Sequence, residues 1–174
     1  MNTYVALLRA INVGGTGKLA MTDLRVLCQK CGFQNVATYI QSGNVVFQTK
    51  LSEARAKAAV EQALAKKMGK PFGTLLRTAS DLSRVVDANP FPLAAPNRVL
   101  ILFLDEAPPA DTLKSVVAPG REELALHGRE IFIHFPEGMG QSKLKVPFQK
   151  MGTGRNLNTA RTLAAMAREI AAVA

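Results

Sequence analysis

The sequence predicts an α+β fold built from two tandem units with antiparallel sheets, and three observations carry that reading. Apolar residues switch between strand-like and helical spacing in the order βαββαβ, residues 89–96 form a Pro-rich break, and nearly the same order returns beyond it. The expected organisation is a first unit over residues 1–88, a linker at 89–96 and a second unit over 97–174.

Residues 3–11 read as a buried strand, nearly all apolar and closed by Asn12-Val13-Gly14-Gly15. A helix follows, with Thr22 as its expected cap, Asp23 at its positive end, and Leu24, Leu27, Cys28 and Cys31 on one stripe. Gly32 should end it in the left-handed conformation, with Phe33 closing a hydrophobic contact beyond. Residues 36–41 and 44–49 alternate around Ser42-Gly43 as a hairpin. In that register Gln41 faces Asn44 and Tyr39 faces Val46, while Thr38, Ile40, Val45 and Phe47 fill the core side. Ser52 can cap a second helix with Val60, Leu64 and Met68 on one face and Gly69 as its stop, and residues 72–78 form a strand. The order is that of a ferredoxin-like unit.

Residues 80–88 suggest a connecting helix. After the linker come a strand at 98–104, a helix at 109–117, and a hairpin of 123–126 with 129–135 around His127-Gly128. A basic segment and a last helix, faced by Leu163, Met166, Ala167 and Ile170, complete a second ferredoxin-like βαββα unit.

Composition narrows the function classes. The chain has 174 residues, 48% hydrophobic and 20% charged, which is the composition of a globular protein. No apolar run approaches the 18 or so residues of a membrane span, and Arg9 breaks the N-terminal run before it resembles a signal peptide. Two cysteines are too few for a disulfide framework, so a cytoplasmic setting is expected. The formal charge is +9, which favours an acidic partner. Residues 1–95 carry twelve Lys and Arg against five Asp and Glu, and the stretch from Gly138 to Arg168 has six basic residues and no acid.

Gly14-Gly15-Thr16-Gly17-Lys18 invites comparison with a phosphate loop, but Asn12 stands where the first glycine should and Leu19 where a Ser or Thr should. What survives is a looser anion-binding turn, set against a plain strand-to-helix connection. Cys28 and Cys31 have redox spacing but sit at the wrong end of their helix and on its apolar stripe, so both are expected to be buried core residues. His127 and His134 are remote from that pair, so neither a metal nor a cofactor is expected. Ser142-Lys143-Leu144-Lys145 matches an acylating S-x-x-K without its companion motifs. Arg155, Asn156 and Asn158 precede the last helix, where unpaired N–H groups attract anions.

Two further blocks are distinctive: Tyr4-Val5-Ala6-Leu7-Leu8-Arg9-Ala10-Ile11-Asn12-Val13-Gly14-Gly15, and Thr38-Tyr39-Ile40-Gln41-Ser42-Gly43-Asn44-Val45-Val46-Phe47. With Asn89-Pro90-Phe91, Ser142-Lys143-Leu144, Arg155-Asn156 and Asn158-Thr159, they resemble the bacterial family known as domain of unknown function 1697. The resemblance runs through essentially the whole chain and implies a two-part α+β fold of ferredoxin-like character. It brings no activity, cofactor or catalytic residue. The chain departs from the family pattern at Ala10 in place of a glycine, at Leu157 in place of an aromatic residue, and at Pro147 within a helical segment.

The leading expectation is a protein that binds a phosphate-bearing anionic ligand, a nucleotide or nucleic acid. The ligand-binding residues would be Arg9, Asn12, Gly14, Gly15, Lys18, Gln41, Asn44, Ser142, Lys143, Arg155, Asn156 and Asn158, gathered in one cleft. The alternatives are a small enzyme acting on an anionic substrate, for which no paired carboxylates are present, and a basic protein-interaction module.

Overall fold

The structure, a computed structural model, describes residues 1–14 and 18–173. The chain divides into two compact units, Met1–Ser83 with Leu163–Ala174, and Arg84–Thr162. Each has its own four-stranded sheet, in which every pairing is antiparallel. The fold is α+β.

In the first unit, β1 (Asn2–Leu8), α1 (Met21–Lys30), β2 (Gln34–Thr38), β3 (Asn44–Thr49), α2 (Glu53–Met68) and β4 (Thr74–Thr78) give the sheet order β2-β3-β1-β4. Tyr4, Ala6 and Leu8 of β1 and Val45 and Phe47 of β3 share a core with Leu24, Leu27 and Cys28 of α1 and Ala56, Val60 and Leu64 of α2. The helical stops expected from the sequence are present: Gly32 and Gly69 take φ of 83° and 75°, where a side chain would be strained. Phe33, just past the first, stacks on Phe47 at 4.2 Å between ring centroids. The α1 cap differs. Ala20 holds the N-cap position and offers no side chain, so Thr22 lies inside the helix.

Two corrections concern the hairpin. Ala37, not Tyr39, faces Val46, and β2 ends at Thr38. The reason lies in Asn44, whose fully buried amide bonds the Tyr39 carbonyl at 2.9 Å and the Ser42 hydroxyl at 2.9 Å. These bonds close a loop wider than the two-residue turn expected. Ile40 therefore leaves the strand, takes a φ of 50° and stands 47% exposed instead of entering the core.

The second unit contains β5 (Val99–Leu104), β6 (Glu123–His127), β7 (Glu130–His134) and β8 (Gly152–Asn156), in the order β6-β7-β5-β8. Here the helix expected at 109–117 is a single 3-10 turn, Thr112–Ser115. The Thr112 hydroxyl bonds the Pro109 carbonyl and the Ser115 hydroxyl bonds the Thr112 carbonyl, side-chain bonds that compete with helical ones. The sheet face bearing Leu102, Leu104, Ile131 and Ile133 is covered by Leu113, Val116, Leu144, Val146 and Phe148 from irregular segments. The strand β8 was not expected at all. Its glycine-rich Gly152-Thr153-Gly154 carries no apolar alternation, yet a Cβ at Gly152 would lie 2.2 Å from the Phe103 carbonyl oxygen. Glycine is what lets the two backbones approach there. Finally, α3 (Ala79–Asp87) and α4 (Leu157–Ala172) each contribute residues to both units.

Candidate functional site

The loop that leaves β1 is held from three sides. The Leu8 N–H donates to the Gly43 carbonyl and the Arg9 N–H to the Gly73 carbonyl, each at 2.9 Å, so the chain is clamped as the strand ends. Ala10 and Asn12 then take φ of 52° and 57°, which turns the backbone out of the sheet and ends β1 before Ile11. Asn12 is among the residues that tolerate this region, and its side chain uses it. Its amide donates to the Leu19 carbonyl at 2.9 Å and the Gln41 carbonyl at 2.8 Å, and its oxygen accepts from the Leu19 N–H at 2.6 Å. One side chain thus ties together the β1–α1 loop, the approach to α1 and the β2–β3 loop.

Around this tie the structure gathers most of the residues expected in the first unit. Arg9 is half-buried and lies along Gly73, where a Cβ would come within 3.0 Å of its Cδ. Gly14, Lys18 and Gln41 are exposed. Asn44, expected at a rim, is instead wholly buried and shapes the loop from within. Gly15 lies outside the described residues. Sequence reasoning missed Gly43, whose Cβ would sit 2.4 Å from Ile11 Cγ2 and 2.9 Å from Leu8 Cβ, and whose φ is 86°. Only glycine fits that contact. The signal was its place in Ser42-Gly43-Asn44, read as a turn residue and not as a packing one.

The remaining expected residues belong to the second unit. The Ser142 hydroxyl donates to Glu122 at 2.6 Å and accepts from the Leu144 N–H at 3.1 Å. That bond, with backbone N–H groups, holds the Glu122 carboxyl below its usual range. Lys143 is exposed, and it lines a surface cavity of about 290 Å³ with Arg121, Glu122, Glu137 and Ser142. Arg155 lies within β8 opposite Ile101, not in a loop before the helix. It is 6% exposed and donates to the Thr153 hydroxyl at 2.7 Å and the Gly154 carbonyl at 2.9 Å. Burial pushes its guanidinium down to about 10. Asn156 caps α4 by accepting from the Thr159 N–H at 2.9 Å, and Asn158 is exposed on its first turn.

Residues 1–132 match the family model described as protein of unknown function DUF1697. The chain belongs to this family. The DUF1697 match takes in the whole Asn12 loop cluster and stops before Ser142 and β8. No curated protein matches the sequence. Among solved structures, a conserved bacterial protein, SP0830 from Streptococcus pneumoniae, is similar with a TM-score of 0.79 at 28% identity. The similarity covers 95% of this chain and 98% of that one. Among the described residues of this DUF1697 chain, no helix is long and apolar enough to cross a membrane, and no group of three or more His, Cys, Asp or Glu could hold a metal ion.

Proposed function

We propose that this protein binds a phosphate-bearing anion, a nucleotide or a stretch of nucleic acid, at the loop cluster around Asn12. The observation that supports this best is the Asn12 tie, which fixes Asn12 to Leu19 and Gln41 close in sequence to the cations Arg9 and Lys18. Left-handed residues beside ordinary ones turn successive N–H groups to one side, the arrangement that receives anions. Lys18 is exposed, and residues 1–95 carry most of the +9 excess, so the local field favours the same ligands. Lys143 and Asn158 are the exposed members of the set in the second unit, and we assign them the same chemistry. With this goes a fold reading of two ferredoxin-like units, supported by the like strand orders β2-β3-β1-β4 and β6-β7-β5-β8.

Calorimetric titration with ATP, inorganic tripolyphosphate and a short oligonucleotide at low salt tests the reading. At least one should bind, and Lys18→Ala should weaken it about tenfold, the effect of losing one charge-assisted contact of about 1.4 kcal/mol. Because Lys18 is exposed, its removal should leave the melting temperature unchanged. Failure of the wild-type protein to bind any of the three probes overturns the proposal.

A further inference from the structure

The loop cluster displays apolar side chains as well as cations. Ile40 is 47% exposed and Val13 is 54% exposed. Val13 follows Asn12 and Ile40 precedes Gln41, and the Asn12 amide bonds the Gln41 carbonyl at 2.8 Å, so the two side chains stand on adjoining segments.

Ile40 is the more informative of the pair. Its φ of 50° is costly for a β-branched residue, which asparagine or glycine would adopt with less strain. The conformation is imposed from every side: by the Asn44 bonds to Tyr39 and Ser42, by the seating of Gly43 against Ile11 and Leu8, and by the Asn12 bond to Gln41. A loop that merely turned would gain by placing asparagine at this position. Instead the chain keeps a large apolar side chain there and holds it in water. Among the described residues, three of the four non-glycine positions with positive φ, Ala10, Asn12 and Ile40, fall in this cluster. Strain concentrated at an exposed apolar side chain points to a use for that side chain.

We propose that Ile40 and Val13 seat the flat, apolar face of a base whose phosphates lie at Arg9 and Lys18, so that the ligand is a nucleotide. This rests on the anion-binding reading above and narrows it. Aliphatic side chains hold a base through its faces, by burying apolar area, and do not read its hydrogen-bonding edge. The site therefore accepts purines and pyrimidines alike. A free nucleotide and a nucleotide within a strand present the same chemistry, so a short oligothymidylate is titrated beside ATP to separate them.

The test compares ATP and UTP with inorganic tripolyphosphate in wild type, Ile40→Asn and Val13→Ser. Both nucleotides should bind wild type at least about tenfold more tightly than tripolyphosphate, and each substitution should remove most of that margin while leaving tripolyphosphate affinity unchanged. Ile40→Asn should also raise the melting temperature, because asparagine relaxes the strained backbone. A gain in stability with a loss of nucleotide affinity is an outcome that a purely structural Ile40 would not give. Equal binding of nucleotides and tripolyphosphate, untouched by Ile40→Asn, overturns the base seat and leaves the anion site standing. A lower melting temperature with equal loss for every probe also overturns it, marking Ile40 as structural. If no probe binds wild type, both proposals fall together.

Discussion

Cys28 shows how burial of one side chain sets its chemistry. It is wholly buried on the apolar stripe of α1, and burial, with the neighbouring Cys31, pushes its thiol up to about 12. Cys31, expected to be buried as well, is half-buried, with its sulfur directed at the Ala59 carbonyl, and its thiol is raised too. Thiolates are the reactive form, so native protein near neutral pH should resist iodoacetamide at Cys28 and react slowly at Cys31. The same shift has a stability consequence. The folded state holds the Cys28 proton to higher pH than the unfolded chain, so the stabilisation is whole below about pH 9 and is lost as pH rises towards 12. Denaturation from pH 8 to 11 should show a steeper loss for wild type than for Cys28→Ala; parallel curves would mean the thiol is not so placed. Arg155 gives a second case. Arg155→Ala strands the buried Thr153 hydroxyl and should cost about 1–3 kcal/mol. Arg155→Met, which keeps the volume without the charge, should lose less, and urea midpoints for the two variants measure the difference.

Among the elements, β8 and the segment at 109–117 show where local pattern fails. The strand β8 exists because its glycines admit a close backbone partner, and β5 supplies that partner from fifty residues upstream. Gly152→Ala places a methyl against the Phe103 carbonyl oxygen and the Leu104 side chain, so one backbone must move. The expected cost is more than about 2 kcal/mol, with β8 the first strand to lose amide-exchange protection. An unchanged midpoint would show that the β5–β8 approach is looser than described. The segment at 109–117 has a helical apolar spacing but stays a single 3-10 turn, because Thr112 and Ser115 spend their hydroxyls on nearby carbonyls.

For the whole molecule, the net charge of +9 sets the scale of any polyanion binding. If a strand neutralises about five contacts, oligothymidylate affinity should fall about a hundredfold or more between 50 and 200 mM salt, through release of condensed counterions. A free nucleotide, with few charges, should show a much flatter response. Filter binding across that salt range separates the two, and a flat response for oligothymidylate would remove nucleic acid as the ligand.

Much of the fold could be read from the chain. The strand and helix order of the first unit, the left-handed stops at Gly32 and Gly69, and the α+β class rest on local periodicity and on glycine's conformational freedom, which act within a few residues. The same is true of a basic, glycine-containing loop after β1. What the sequence could not show was which side chains hold that loop. Asn12 and Asn44 looked like ligand contacts, whereas their amides are bonded to backbone carbonyls of the loops they shape. Ile40 looked like core and stands in water. These differences arise because the loops are settled partly by side-chain bonds that no periodicity announces, Asn44 to Tyr39 and Ser42, and partly by distant partners, here Gln41 and Gly73, that meet only once the sheet is formed. Sequence determined the elements of the first unit, because their causes are local, and left β8 and the turn at Thr112–Ser115 to be found in the structure. Tertiary structure alone decided which residues of the loops face the solvent, because that depends on backbone contacts between segments far apart in the chain.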